Sequence, residues 1–261
     1  MKLLKFLYGI TGLAVFLILV WLFAVPNELI QQKIEEAVSR SGNGTMALSI
    51  KGIRKGVFFS LSADTVNLSI DDQPAISIND LSINFTPRHL NAGKLAFLVR
   101  GKIGTGTVKG ILMLPLKGNF KIDKAGLDSI PYLNRFGMSA NGHLSSDIIL
   151  NNNEVEAVFN IPDLNIDNPD VTMIPLINTF RRIQGSVHLD GNDLRINSIS
   201  LEGEKGFARL KGQIRNGLAD MTLELMPVER SLNSLESMII GKYIISPGYY
   251  AVPINGPLPN L

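Results

Sequence analysis

The chain has 261 residues, 45% of them hydrophobic and only 18% charged, and it contains no cysteine. The charged fraction lies below the roughly 25% usual for globular proteins, mean hydropathy is +0.19, and the missing cysteine excludes disulfides, thiolate metal sites and a cysteine nucleophile. Lys2 and Lys5 are the only charges before residue 26, which leaves 23 basic against 23 acidic side chains in residues 26–261. That balance, with no run of five Lys or Arg, lacks the concentrated basic face that nucleic-acid binding needs, so no nucleic-acid partner is expected.

Residues 6–25 are 20 consecutive positions without a charge. At about 1.5 Å per residue, a helix of that length spans about 30 Å, the thickness of a bilayer's hydrocarbon core. Phe6, Leu7, Ile10, Leu13 and Val15, followed by Phe16, Leu17, Ile18, Leu19, Val20, Trp21, Leu22 and Phe23, supply the apolar surface of the expected membrane anchor. Lys2 and Lys5 are its topology signal. With Pro26, Asn27 and Glu28 on the far flank, the positive-inside rule puts the amino terminus in the cytoplasm and everything from Pro26 across the membrane. The rival reading, a cleaved signal peptide, has a shorter apolar stretch of about 7 to 15 residues and a small-x-small cleavage site, where this chain has Leu22 and Ala24. An uncleaved single-pass anchor over residues 1–25 is therefore expected, with Trp21 at the interface.

Leu29, Ile30, Lys33, Ile34, Ala37 and Val38 then recur at helical spacing to about Arg40, with Asn27 placed to cap the start and Gly42 and Gly44 to end it. Gln31, Gln32, Glu35, Glu36 and Ser39 take the other face. Residues 26–44 read as an amphipathic helix and connector that packs on a sheet, because the polar face lacks the Lys and Arg of membrane-surface helices.

From Met46 the dominant period is two, the mark of half-buried strands. Val66, Leu68 and Ile70 alternate with polar residues, as do Ile76 and Ile78, then Leu81, Ile83 and Phe85. Val187 and Leu189, Leu194 and Ile196, and Met221, Leu223 and Leu225 repeat the pattern. Between Ile196 and Ile199 the phase slips by one residue, which predicts a bulge near Asn197. Turn signals at Asp71-Asp72-Gln73-Pro74, Asn141-Gly142, Asn151-Asn152-Asn153, Asp190-Gly191 and Asn216-Gly217 lie too close together for the crossover helices of a parallel sheet. The fold class is mainly β: an elongated, twisted antiparallel sheet over residues 45–261, interrupted by short helices expected at about 129–136, 175–183 and 231–240, the last capped by Ser231.

No catalytic constellation emerges. His89, His143 and His188 fall in separate segments without companion ligands. Gly101, Gly104, Gly106 and Gly110 fit no phosphate-binding loop and read as glycine in adjacent twisted strands. Asp163, Asn165 and Asp167 open like a calcium loop, yet Asn168 and Ile174 stand where Gly and Glu are needed. No enzyme activity, cofactor or metal is expected. What remains is a sheet with one apolar face and little helix to cover it. Val66, Leu68, Ile70, Val187, Leu189, Leu194, Ile196, Met221, Leu223 and Leu225 are therefore the candidate lining of an apolar groove that meets lipid or a protein partner.

The stretch IQGSVHLDGNDLRINSISLEGEKGFARLKGQI at residues 183–214 resembles the repeated strand unit of AsmA-like envelope proteins. The single amino-terminal anchor, the segment LDSIPYLNRFGMSANGHLSSDIIL at 127–150 and the ending YAVPINGPLPNL at 250–261 resemble more closely the type II secretion system protein N family. That resemblance implies a protein of the bacterial inner membrane with its β-rich body in the periplasm, accessory to the machine that exports folded proteins through the outer membrane. Its expected partners are the membrane and other secretion-system or envelope proteins. The AsmA-like relatives add an association with envelope lipid handling, and hence phospholipid as a further partner. No catalytic residue comes with the resemblance.

Overall fold

A computed structural model describes residues 13, 16–41, 44–131, 139–167, 177–191, 193–228 and 231–257. Residues 16–19 are helical, and Val20–Ala24 continue as a π-helical turn before Val25 turns extended. Among the described residues no helix is long and apolar enough to cross a membrane. The topology signal Lys2 and Lys5 and the anchor residues Phe6, Leu7, Ile10 and Val15 lie outside the described residues.

Helix α1 is Asn27–Ser41. The cap expected at Asn27 does not form. Intrahelical bonding already starts at the Pro26 carbonyl, which accepts from Ile30, so Asn27 lies inside the first turn with its Oδ1 unpartnered. Glu35 also departs from its expected place on the solvent face. Its carboxylate accepts the Ile50 backbone N–H at 2.9 Å, so the helix covers the first edge of the sheet and satisfies a donor left bare there.

The strands follow as β1 (Met46–Lys51), β2 (Arg54–Lys55), β3 (Leu61–Ile70), β4 (Gln73–Thr86), β5 (Leu95–Ile103), β6 (Gly106–Leu114) and β7 (Lys117–Gly126). After β8 (Ser139–Asn141) come β9 (His143–Asn151), β10 (Glu154–Ile161), β11 (Asn165–Asp167), β12 (Phe180–Asp190), β13 (Asp193–Gly203), β14 (Gly206–Arg215) and β15 (Leu218–Pro227). Helix α2 (Ser234–Gly241), β16 (Ile244–Ser246) and β17 (Tyr249–Pro257) complete the chain. Fifteen strands make one sheet in the order β1-β3-β4-β5-β6-β7-β9-β10-β12-β13-β14-β15-β17-β16, with β2 attached to β3. Each neighbouring pair is antiparallel, and β8 and β11 form a separate two-stranded sheet.

Turn chemistry explains much of this meander. Asp71 and Asp72 (φ 50° and 60°) and Asn216 and Gly217 (φ 50° and 75°) adopt the mirror-image turns that match strand twist. Asn141-Gly142, read as a hairpin signal, is instead a corner. Asn141 pairs with Asn165 in the small sheet while His143 pairs with Gly126 in the large one, and Gly142 takes φ 143° between them.

Among the described residues six bulges interrupt the ladder, two of them at Ala75 in β4 and Ile245 in β16 and the other four as follows. Asp80 and Leu81 oppose Gly101, Asp123 and Lys124 oppose Ser145, and Asn197 is the extra residue between the pairs Ser186–Ser198 and Val187–Ile196. A fourth, at Arg181, accounts for a false helix signal. It separates Phe180 from Ile183 by three residues on the same side of β12, so residues 180–183 carry helical spacing while lying in a strand. Among the described residues of that region the helix is the single turn Ile177–Thr179, with 168–176 outside the described residues. Most of the helix expected at 129–136 falls on 132–138, outside the described residues, and a single turn at Leu127–Ser129 precedes it. Opposite the Asn197 bulge, Gly212 sits at φ +137°, where a Cβ would stand 2.3 Å from the Asp220 carbonyl oxygen.

The α2 cap is Asn233 rather than Ser231. Asn233 and Glu236 exchange reciprocal hydrogen bonds at 2.8 Å, whereas the Ser231 hydroxyl donates to the Lys205 and Val228 carbonyls. Through Ile240, fully buried with Phe180, Leu223 and Leu225, α2 covers the last strands. Ile240→Ala is expected to lower stability by about 2–5 kcal/mol, and Met238→Ala, at a position 72% exposed, by about 0.5 or less. Urea denaturation checks both, and equal losses would contradict this docking.

Candidate functional site

Directly paired residues of an antiparallel ladder project to the same side of the sheet, so the register fixes which side chains share a face. Val66 pairs with Ile50 and Ile78, and Leu68 with Leu48 and Ile76; Ile70 pairs with Met46. At the other end Leu189 pairs with Leu194, Val187 with Ile196, Ile196 with Gly212 and Gly212 with Met221, while Leu223 and Leu225 pair with Leu210 and Ala208. Followed strand by strand, these pairs place all ten candidate groove residues on one face.

Five buried clusters run along that face and share members. Ile78 belongs to the first two, Leu144 links the second to the third, Ile183 the third to the fourth, and Ile199, Leu210 and Ile254 the last two. Three elements cover parts of it: Ile34 of α1, the small sheet with Leu164 and Ile166, and α2 with Leu232 and Tyr243. The cluster of Ile196, Ala219 and Met221 has no such cover among the described residues. Its packing partners all come from β12, β13, β14, β15 and β17, yet Ile196 and Met221 are buried. Side chains of five adjacent strands thus pack on one another at this point of the face. Val187, Leu189 and Leu194 beside it stay half-buried.

Sequence alternation predicts a polar opposite face but not its shape. Ser145, Asp147, Asn160, Gln184, Ser186 and Ser200 line an open trough there of about 530 Å³. Short hydroxyl side chains at alternate positions were its available signal. On the same face Glu224 is buried, paired with the Lys211 ammonium and hydrogen-bonded to Tyr249. The Lys211 bond holds the Glu224 carboxyl below its ordinary 4.5, and Glu224 in turn raises Lys211. His143, at the corner, donates its backbone N–H to Asp163 at 2.9 Å and brings Nδ1 to 2.5 Å from the same carboxylate, which keeps Asp163 low. Asp163 is thus engaged with His143 while Asn165 and Asp167 lie in β11, and among the described residues no three metal-binding side chains gather. Gly101 and Gly110 lie in β5 and β6, with Gly104 in the turn between the strands and Gly106 starting β6.

The amino-terminal junction is the feature that sequence reasoning missed. The Lys55 ammonium donates to the carbonyls of Trp21 and Leu22 at 2.9 Å and also to Val25, capping the end of the apolar segment. The Trp21 indole N–H donates to the Gly56 carbonyl at 3.0 Å, and its ring meets Phe59 at 5.5 Å. Val57-Phe58-Phe59 is a short apolar run, a visible but unused signal.

Comparison with protein-family models, curated proteins and solved structures finds no match to this chain.

The Glu224 pair yields a pH test. Because its folded value lies below 4.5, its contribution is complete above that pH and fades as pH falls through the folded value. Glu224→Gln is expected to cost about 1 kcal/mol at pH 7, with the gap to the unsubstituted protein closing below pH 4.5 in urea titrations. A gap that is constant with pH would contradict the pairing.

Proposed function

We propose that the protein is an inner-membrane-anchored periplasmic component of the type II secretion apparatus, with a structural and interaction role. The observation that carries this reading is the continuous apolar face of a single long sheet, tied by Lys55 and Trp21 to the end of an apolar amino-terminal segment. An extended surface of that kind suits docking rather than turnover. The resemblance of residues 127–150 and 250–261 to the secretion family supplies the machine in which it docks, and the uncharged stretch at 6–25 supplies the anchor.

Clean deletion of the gene is expected to leave exported proteins in the periplasm while outer-membrane permeability to small dyes stays normal. Secretion at the parental level would overturn the reading.

The half-covered lining of Val187, Leu189 and Leu194 beside the cluster of Ile196 and Met221 favours a second reading, an AsmA-like lipid-binding role in envelope maintenance. Native mass spectrometry of the detergent-extracted protein is then expected to show bound phospholipid that Leu189→Asp removes. Protein free of lipid in both forms would eliminate it.

A further inference from the structure

The loop between β2 and β3 is built unlike the other turns of the sheet. It is closed by the Gly56 N–H donating to the Ser60 carbonyl and by the Ser60 hydroxyl donating to the Val57 carbonyl, both at 2.9 Å. Phe58 and Phe59 hold φ 57° and 58°, a left-handed conformation that bulky side chains rarely take. The loop does not use this backbone to bury its apolar side chains. Val57 is 54% exposed and Phe58 66% exposed.

The position of the loop is fixed. Its Gly56 carbonyl accepts the Trp21 indole, Phe59 packs on the Trp21 ring, and neighbouring Lys55 caps three carbonyls at the end of the apolar segment. The loop therefore stands at the level where residues 6–25 end. Helix-terminal carbonyls left bare there would be costly in hydrocarbon, and an aromatic ring with a polar tip beside a long-stemmed ammonium is the chemistry of the head-group boundary. Phe23, 82% exposed on the same segment, shares that environment.

We infer that Val57 and Phe58 insert into the head-group boundary of the bilayer that the amino-terminal segment enters, as a second contact that fixes the tilt of the sheet on the membrane. The inference rests on the anchor reading given above. The occupant is lipid because the exposed side chains are wholly apolar and adjoin the segment that itself has bilayer length.

The absence of native cysteine allows a direct test in the full chain. Val57→Cys, and Asp190→Cys as a distant exposed control, are labelled with an environment-sensitive dye and reconstituted into vesicles of phosphatidylcholine and phosphatidylglycerol. Flotation after an alkaline wash reads the anchor separately. The expected result is a blue-shifted emission at position 57, quenched by lipid spin-labelled near the head group, with position 190 unchanged. Adding F58S and F59S should reduce that quenching to the level of position 190. Floating protein with no lipid quenching at position 57 overturns the loop contact and leaves the anchor standing. A blue shift without lipid quenching means that protein covers the loop and also overturns it. Release by the alkaline wash overturns both readings.

Discussion

One constraint governs this structure: an apolar side must remain on the same face through fourteen strands lying side by side in one sheet. A strand's side chains alternate, so a one-residue slip anywhere would turn the following residues to solvent. Twist and curl, however, force slips as a sheet lengthens. The chain resolves the conflict with bulges, each of which adds a residue and restores the phase. At Asp80, Lys124 and Asn197 the extra position is polar, so the residue that loses its ladder partner keeps its contact with water.

The same constraint explains the peripheral elements. A sheet that does not close leaves two edges and an incompletely covered face. At the first edge α1 lies along β1, with Glu35 holding a bare N–H and Ile34 covering the first cluster. At the last, Pro253 and Pro257 lie in β17, where a missing donor is tolerated, and short β16 covers only Tyr249 and Tyr250. The small sheet and α2 cover two further stretches. Around Ile196 and Met221 no helix or second sheet covers the face among the described residues, and the neighbouring Val187, Leu189 and Leu194 stay half-buried.

Much of this was legible in the sequence because alternation and turn chemistry are local. The meander, the Asp71-Asp72 and Asn216-Gly217 turns and the Asn197 slip follow from residues within ten positions of one another. Failures came where a local pattern had two causes. The Arg181 bulge produced helical spacing at Phe180 and Ile183, Asn141-Gly142 carried hairpin chemistry but joins two different sheets, and Ser231 resembled a cap while Asn233 had Glu236 three residues on to complete the box. Glu35 and Lys55 were misjudged or missed because their partners, the Ile50 N–H and the Trp21 carbonyl, are 15 and 34 residues away.

The docking role proposed above draws on the same geometry, a sheet whose apolar side is continuous and whose amino-terminal junction is knotted to an apolar segment. Phase restoration at the bulges is therefore the claim on which the account stands, and single-cysteine substitution along residues 194–202 tests it most directly in this cysteine-free chain. Maleimide labelling is predicted to be slow at 194, 196, 199 and 201 and fast at 195, 197, 198, 200 and 202, with two adjacent fast positions at the bulge. Unbroken alternation, with 198 protected and 199 reactive, would contradict it.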